Sequence, residues 1–143
     1  MANSLTFTSG CFMYCTNATA STTPGTKYDI LTSSASDRRV YGIGVLSSDN
    51  AIQTVKIYLT SATSSIPYQV CAVSIPAGSG TNGTAAAVDV FASTMCESIF
   101  QVTREANGLA YFNLPANWKI QMDFSAILTS PETITTHIFG ETY

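Results

Sequence analysis

Trp118-Lys119-Ile120-Gln121-Met122-Asp123-Phe124 alternates apolar and polar residues without a fault. A period of two sends successive side chains to opposite faces, so this stretch predicts a half-buried antiparallel strand. The same period recurs on either side of it. Val55, Ile57 and Leu59 alternate with Lys56, Tyr58 and Thr60. Tyr41, Ile43 and Val45 alternate with Gly42 and Gly44, where the missing side chains leave room for another group to approach. Val70 to Ile75 is more continuously apolar and predicts a strand covered on both faces. Thr133 to Phe139 is rich in β-branched and aromatic residues and suits a last strand.

Turn signals punctuate these runs: Pro24-Gly25, Ser48-Asp49-Asn50, Pro76-Ala77-Gly78, Asn107-Gly108 and Ser130-Pro131. Asn107-Gly108 predicts a hairpin between Phe100–Arg104 and Leu109–Leu114. The stretch Thr84 to Met95 fits a strand or a single helical turn. About eight to ten short strands at this spacing predict an all-β fold, an antiparallel sandwich or barrel. The 143 residues, with seven Phe, seven Tyr and one Trp, suffice for one core.

Charge is scarce. Six Lys or Arg and nine Asp or Glu make 10% of the chain, against about 25% in ordinary soluble domains. Ser and Thr fill the gap at about a quarter of all residues. Such a surface repels its neighbours weakly and suits packing against other copies or another protein. The net charge of −3 and the scattered basic residues argue against nucleic-acid binding. No run approaches the ~18 apolar residues of a membrane helix. Met1-Ala-Asn-Ser-Leu lacks the basic and apolar regions of a secretory signal, so synthesis in the cytoplasm is expected.

The deficit is uneven. Residues 1–26 carry no charge, yet contain Leu5, Phe7, Phe12, Met13 and Tyr14. Two organisations fit: a first strand plus linker of the same domain, or an N-terminal arm that adds a strand to a neighbouring subunit. In the second, those five residues are the expected partner interface. Residues 27–143 form the β domain in either case.

Reactive motifs are thin. Gly78-Ser79-Gly80-Thr81-Asn82-Gly83 spells GxGxxG, but no strand–helix–strand unit surrounds it, so a mobile inter-strand loop is expected rather than a dinucleotide site. His137 is the only histidine and shares a strand face with Thr135 and Phe139. That rules against a triad and a four-ligand zinc site. Asp29, Asp89, Glu97 and Asp123 could in principle supply a carboxylate pair, but Asp123 lies on the polar face of its strand and is expected to be solvated. Cys11, Cys15, Cys71 and Cys96 lack CxxC spacing and are expected as free buried thiols. Six tyrosines, Tyr28, Tyr41, Tyr58, Tyr68, Tyr111 and Tyr143, would make a sugar-stacking platform if several shared one face. No catalysis and no cofactor are expected.

From Lys27 onward the segment order resembles small head or tail accessory proteins of tailed bacteriophages. The matching residues are Tyr28-Asp29-Ile30-Leu31-Thr32, Arg39-Val40-Tyr41-Gly42-Ile43 with Ser47-Ser48-Asp49, and Val55-Lys56-Ile57-Tyr58-Leu59. Ser74-Ile75-Pro76-Ala77-Gly78-Ser79-Gly80-Thr81, Tyr111–Ile120 and Phe139-Gly140-Glu141-Thr142-Tyr143 complete the resemblance. It covers most of the chain beyond residue 26 and consists of strand-and-loop patterns. The resemblance implies a capsid decoration (cement) protein: a jelly-roll-like sandwich on the outer capsid surface of the virion. Such a protein assembles as a dimer or trimer and clamps the major capsid protein. No residue role is carried over. The alternative is a receptor- or glycan-binding module of a phage fibre.

Overall fold

The computed structural model describes residues 10–93, 96 and 99–143. Their strands are β1 (Cys11–Thr19), β2 (Tyr28–Leu31), β3 (Arg38–Ser47), β4 (Gln53–Ser61) and β5 (Pro67–Ile75). After these come β6 (Val88–Asp89), β7 (Thr103–Arg104), β8 (Ala110–Leu114), β9 (Trp118–Phe124) and β10 (Thr133–Thr142). The fold is all-β, with two antiparallel sheets. The larger sheet runs β1-β10-β3-β8-β7, with β6 also paired to β3. The smaller runs β2-β9-β4-β5. Among the described residues no helix is long and apolar enough to cross a membrane.

The alternating stretch 118–124 is β9, and its apolar residues Ile120, Met122 and Phe124 are fully buried. Across the ladder they meet Leu59, Ile57 and Val55 of β4, so two period-two patterns register face to face. On the larger sheet Ile43 and Val45 of β3 and Ile134 and Ile138 of β10 are buried in the same way. Residues of both sheets join one hydrophobic cluster. Thr136 Oγ1 of β10 lies 2.7 Å from Met122 Sδ of β9, a direct contact from one sheet to the other. Full burial of each large apolar side chain is worth about 1.5–3 kcal/mol, so this shared interior is the main stabilising term.

Arg38 ties the sheets together a second time. Its guanidinium donates from β3 to the Thr32 carbonyl after β2 and to the Trp118 carbonyl at 3.2 Å. It is 4% exposed, and burial lowers its pKa. An arginine is retained inside because its fork reaches two carbonyls that strand pairing leaves unused.

Three sequence expectations about the cysteines and strands need correction. Cys71 and Cys96 are bonded to each other across 5.3 Å between Cα atoms, rather than being free thiols. The chain after β5 returns so that Cys96 lands on that strand, a tertiary event with no trace in cysteine spacing. Cys11 and Cys15 are not joined by a disulfide and are exposed rather than buried. The second correction is to Val70–Ile75, where Cys71, Val73 and Ile75 are buried but Ser74 is exposed. The sheet packs on the core from one side only, so β5 has one covered face.

The described part of Thr84–Met95, expected as a strand or a single helical turn, contains both. Only Val88–Asp89 pairs as strand, against Gly44 and Val45, before a 3-10 turn over Val90–Ala92 that the Asp89 carboxylate caps by accepting from Phe91 N–H at 2.9 Å. Thr94 and Met95 lie outside the described residues. The third correction concerns the hairpin at Asn107-Gly108. It forms, but its first arm is only Thr103–Arg104. Phe100 is instead helical, and its ring packs edge-on against Phe91 and Phe112 at 5.6 and 4.9 Å. Burial in that aromatic trio outweighs extension of a two-residue ladder.

The Gly78–Gly83 loop follows β5. Its three glycines have positive φ, and it is tied to the β3–β4 turn by Ser47 N–H to Ser79 O at 2.9 Å and Gly78 N–H to Asp49 O at 2.8 Å. That makes it a pinned loop, not a phosphate cradle opening a helix. Strand β1 pairs with β10 along all nine of its residues, so Phe12, Met13 and Tyr14 sit within the larger sheet. Leu5 and Phe7 lie outside the described residues.

Candidate functional site

Two outward faces remain once the inner faces are buried. On the larger sheet the outward row of β1 is Cys11, Met13, Cys15, Asn17 and Thr19. It stands opposite Glu141, Phe139, His137, Thr135 and Thr133 of β10. Met13 is 71% exposed and Phe139 44%. The Phe139 ring lies over Gly42 of β3, where an added Cβ would meet it at 2.7 Å. The close approach that Gly42 permits is thus filled by an aromatic ring of the next strand. Phe12 and Tyr14 point to the inner side of β1, where Phe12 packs on the core and stacks tilted on Tyr14 at 5.6 Å.

Farther along that face, Arg39 gathers aromatic and acidic groups. Its guanidinium carbon is 4.5 Å from the Tyr111 ring centre and 5.3 Å from that of Tyr143. It pairs with Glu141 at 3.3 Å, and the Tyr41 hydroxyl donates to the same carboxylate at 2.5 Å. Burial, then this hydrogen bond, raise the Tyr41 pKa. Three of the six tyrosines therefore share one place, but an arginine already covers two of their rings. A bare stacking platform does not result.

The outward face of the smaller sheet is polar and concave. A groove of about 590 Å³ lies over it, lined by Lys27, Asp29, Thr60, Ser61, Lys119 and Gln121 among others. The strand register brings these together. Asp29 stands opposite Gln121, and Lys119 opposite Thr60, so β2, β9 and β4 contribute one row. Asp29 pairs with Lys119 at 3.0 Å and accepts from Gln121 Nε2 at 2.7 Å. Gln121 Oε1 accepts in turn from Thr60 Oγ1 at 2.7 Å. Lys27 Nζ rests 4.6 Å above the Tyr58 ring, a cation–π contact that holds the ammonium at the groove.

Beside the groove, Asp123 is 3% exposed, which corrects the expectation of a solvated carboxylate. It lies on the outward face as its strand pattern requires. The Tyr58 hydroxyl covers it, donating to Oδ2 at 2.9 Å. Burial, this hydrogen bond and the carboxylate's charge push the Tyr58 phenol up to about 12. Tyr28 is raised farther, by burial first and then by the Asp123 charge. A pair of phenols that resist ionisation next to a buried carboxylate is a structural arrangement, not a poised acid and base.

The other sequence candidates stay apart. Asp89 caps its 3-10 turn on the larger sheet, Asp29 and Asp123 belong to the smaller, and Glu97 lies outside the described residues. His137 occupies the outward row of β10 with Thr135 and Phe139, opposite Cys15. Asp49 is buried and bonded to Gln53 Nε2 at 2.7 Å, locking the β3–β4 turn. Among the described residues no three His, Cys, Asp or Glu side chains gather as a metal site. Sequence reading passed over Lys27, Lys119, Gln121 and Thr60. The signal for Lys119 and Gln121 was the polar half of the 118–124 alternation, and for Thr60 that of the 55–60 alternation; period two assigns both to solvent whatever the neighbouring strands place beside them, and Lys27, ahead of β2, had no such signal.

A scan against models of known protein families finds no match to this chain, and a search of curated proteins finds none either.

Proposed function

We propose that the chain is a structural, non-enzymatic virion protein of a tailed bacteriophage. In this reading it binds the outside of the capsid and stabilises contacts between major capsid subunits. The observation that carries the reading is strand order. With the two-residue strands β6 and β7 set aside, successive strands alternate between β1-β10-β3-β8 and β2-β9-β4-β5, apart from the hairpin step from β4 to β5. Two interleaved Greek keys produce that pattern, which supports a jelly-roll sandwich, an architecture used by viral capsid and lectin domains.

The segment resemblance to phage accessory proteins supplies the biological setting. The charge deficit and the exposed Met13 and Phe139 on paired strands β1 and β10 fit a surface used for packing. An uncharged stretch ahead of β1 would extend that surface as an arm, and a dimer or trimer would repeat it around a symmetry axis. Capsids stripped of the protein and mixed with the purified chain should regain decoration and melt at a higher temperature. If neither happens under native salt, the reading fails.

A second reading, a receptor- or glycan-binding module of a phage fibre, is favoured by one observation: the preorganised polar groove on the smaller sheet. It predicts saturable binding to host glycans, and a flat glycan array would count against it.

A further inference from the structure

We infer that the groove on the smaller sheet is a binding site for an acidic sugar, a pyranose bearing a single carboxylate. This goes beyond capsid attachment, and it rests on the glycan-binding reading by giving it a site and a sugar class.

The charge in the groove is opposite to that of the chain. Two ammonium groups, Lys27 and Lys119, face one carboxylate, Asp29, in a protein of net charge −3. Lys119 is neutralised by Asp29 at 3.0 Å. Among the described residues Lys27 has no carboxylate within ion-pair distance, and it rests on the Tyr58 ring. An ammonium held over a ring face at the lining of a groove is a ready partner for one negative charge.

The rest of the groove is built for hydroxyls. Asp29, Gln121 and Thr60 are locked by bonds of 2.7 Å, so their remaining capacity is aimed before any ligand arrives. Gln121 keeps one amide hydrogen, Lys119 keeps donors beyond its ion pair, and the Thr60 oxygen can still accept. Thr32, Ser33, Ser61 and Ser65 add hydroxyls around the rim. A volume of about 590 Å³ falls in the usual range of small-ligand sites, about 300–1,000 Å³. Asp29 also selects against a doubly charged phosphate, whose charge it would repel, while it accepts readily from sugar hydroxyls. A sugar carboxylate at Lys27, with ring hydroxyls on Asp29, Gln121 and Lys119, satisfies every group.

The test uses the full chain titrated with N-acetylneuraminate and with glucuronate, reading backbone amide shifts by NMR. Glucose and inorganic phosphate serve as comparison ligands. Saturable shifts at Lys27, Thr60 and Gln121 with an acidic sugar, and weaker ones with glucose and phosphate, are expected. Lys27→Gln should weaken the binding about tenfold or more, the loss typical of one charge-assisted contact, and Lys27→Arg should keep most of it. Gln121→Glu, which adds a second carboxylate beside Asp29, should abolish it. Lys56→Gln removes a charge from the same face outside the groove and should leave it unchanged.

No saturable shift with either acidic sugar overturns the inference. So does an equal response to phosphate, or binding that survives Lys27→Gln and Gln121→Glu in folded protein. Glycan binding unaffected by these two variants would leave the fibre reading standing and refute this site alone. Capsid rebinding reports on neither.

Discussion

Gly140 shows how little room strand packing leaves at a single residue. It sits in β10 at a register shift between Phe139 and Gly140, opposite Val40 of β3 and Phe12 of β1. A methyl group here would drive into the backbone carbonyl of Arg39 and reach the Phe12 ring at 2.7 Å. Because the first obstacle is backbone, no rotamer change relieves it. Gly140→Ala should therefore destabilise by about 3 kcal/mol, the upper end of ordinary overpacking, read as a lower denaturant midpoint at unchanged slope.

Asp123 and its phenols carry a pH signature at the same scale. Tyr58 is raised from 10.0 to about 12 in the folded chain, and Tyr28 is raised as well. Below pH ~10 both folded and unfolded tyrosines hold their protons, so these groups leave stability independent of pH. Between 10 and 12 the unfolded chain releases protons that the folded chain keeps, and stability falls as pH rises. Urea unfolding at stepped alkaline pH should show that decline. Asp123→Asn, which removes the charge and leaves burial, should make it shallower and bring the Tyr58 titration lower. The position of Asp123 on the polar face was legible from alternation. Its burial was not, because the Tyr58 side chain that covers it comes from a strand 65 residues away.

At the scale of elements, legibility followed the strength of the local period. Strand β9 begins and ends where the faultless alternation does, Trp118 to Phe124. The hairpin at Asn107-Gly108 was readable because the turn chemistry is local, and Gly108 takes the positive φ that such a turn needs. Segments whose conformation is decided by distant contacts were misread: Phe100 is drawn into the aromatic trio, and β5 is covered on one face only because a single layer packs against its sheet.

The Cys71–Cys96 link belongs here too. It closes a loop with a sequence separation of 25 and fastens the segment after the 3-10 turn onto β5. Loop-closure entropy for that length amounts to about 3.5 kcal/mol. Cys71→Ala with Cys96→Ala should lower stability by about that amount, while circular dichroism keeps its β signature. A loss below about 1 kcal/mol would mean that the unfolded chain is already restricted there.

For the whole molecule, strand count and antiparallel character were accessible to sequence because turn spacing and period two both report on them. The order of strands was not, since periodicity describes each strand without its neighbours. The groove illustrates the same limit. Lys27, Asp29, Thr60, Lys119 and Gln121 come from three strands and their flanks, and only the pairing of β2, β9 and β4 makes them adjacent. Nor could composition distinguish the two outward faces, one carrying Met13 and Phe139 and the other lysines, carboxylates and hydroxyls.

The pairing of the first described strand with the last has a mechanical consequence. Cys11 faces Glu141 and Thr19 faces Thr133, so the chain enters β1 and leaves β10 at the same corner, where Thr142 N–H bonds Gly10 O at 2.9 Å. Tension applied between residues 10 and 143 pulls across that ladder and opens its hydrogen bonds one after another, as a zipper, instead of loading them all at once. In an optical trap the molecule should yield at low force when held by these ends. It should resist far more when tethered through Thr19 and Thr142, at opposite ends of the same pair, where the bonds bear the load in parallel. Anchored by that one corner, the chain would thus be held firmly along its strands and peeled easily from its ends.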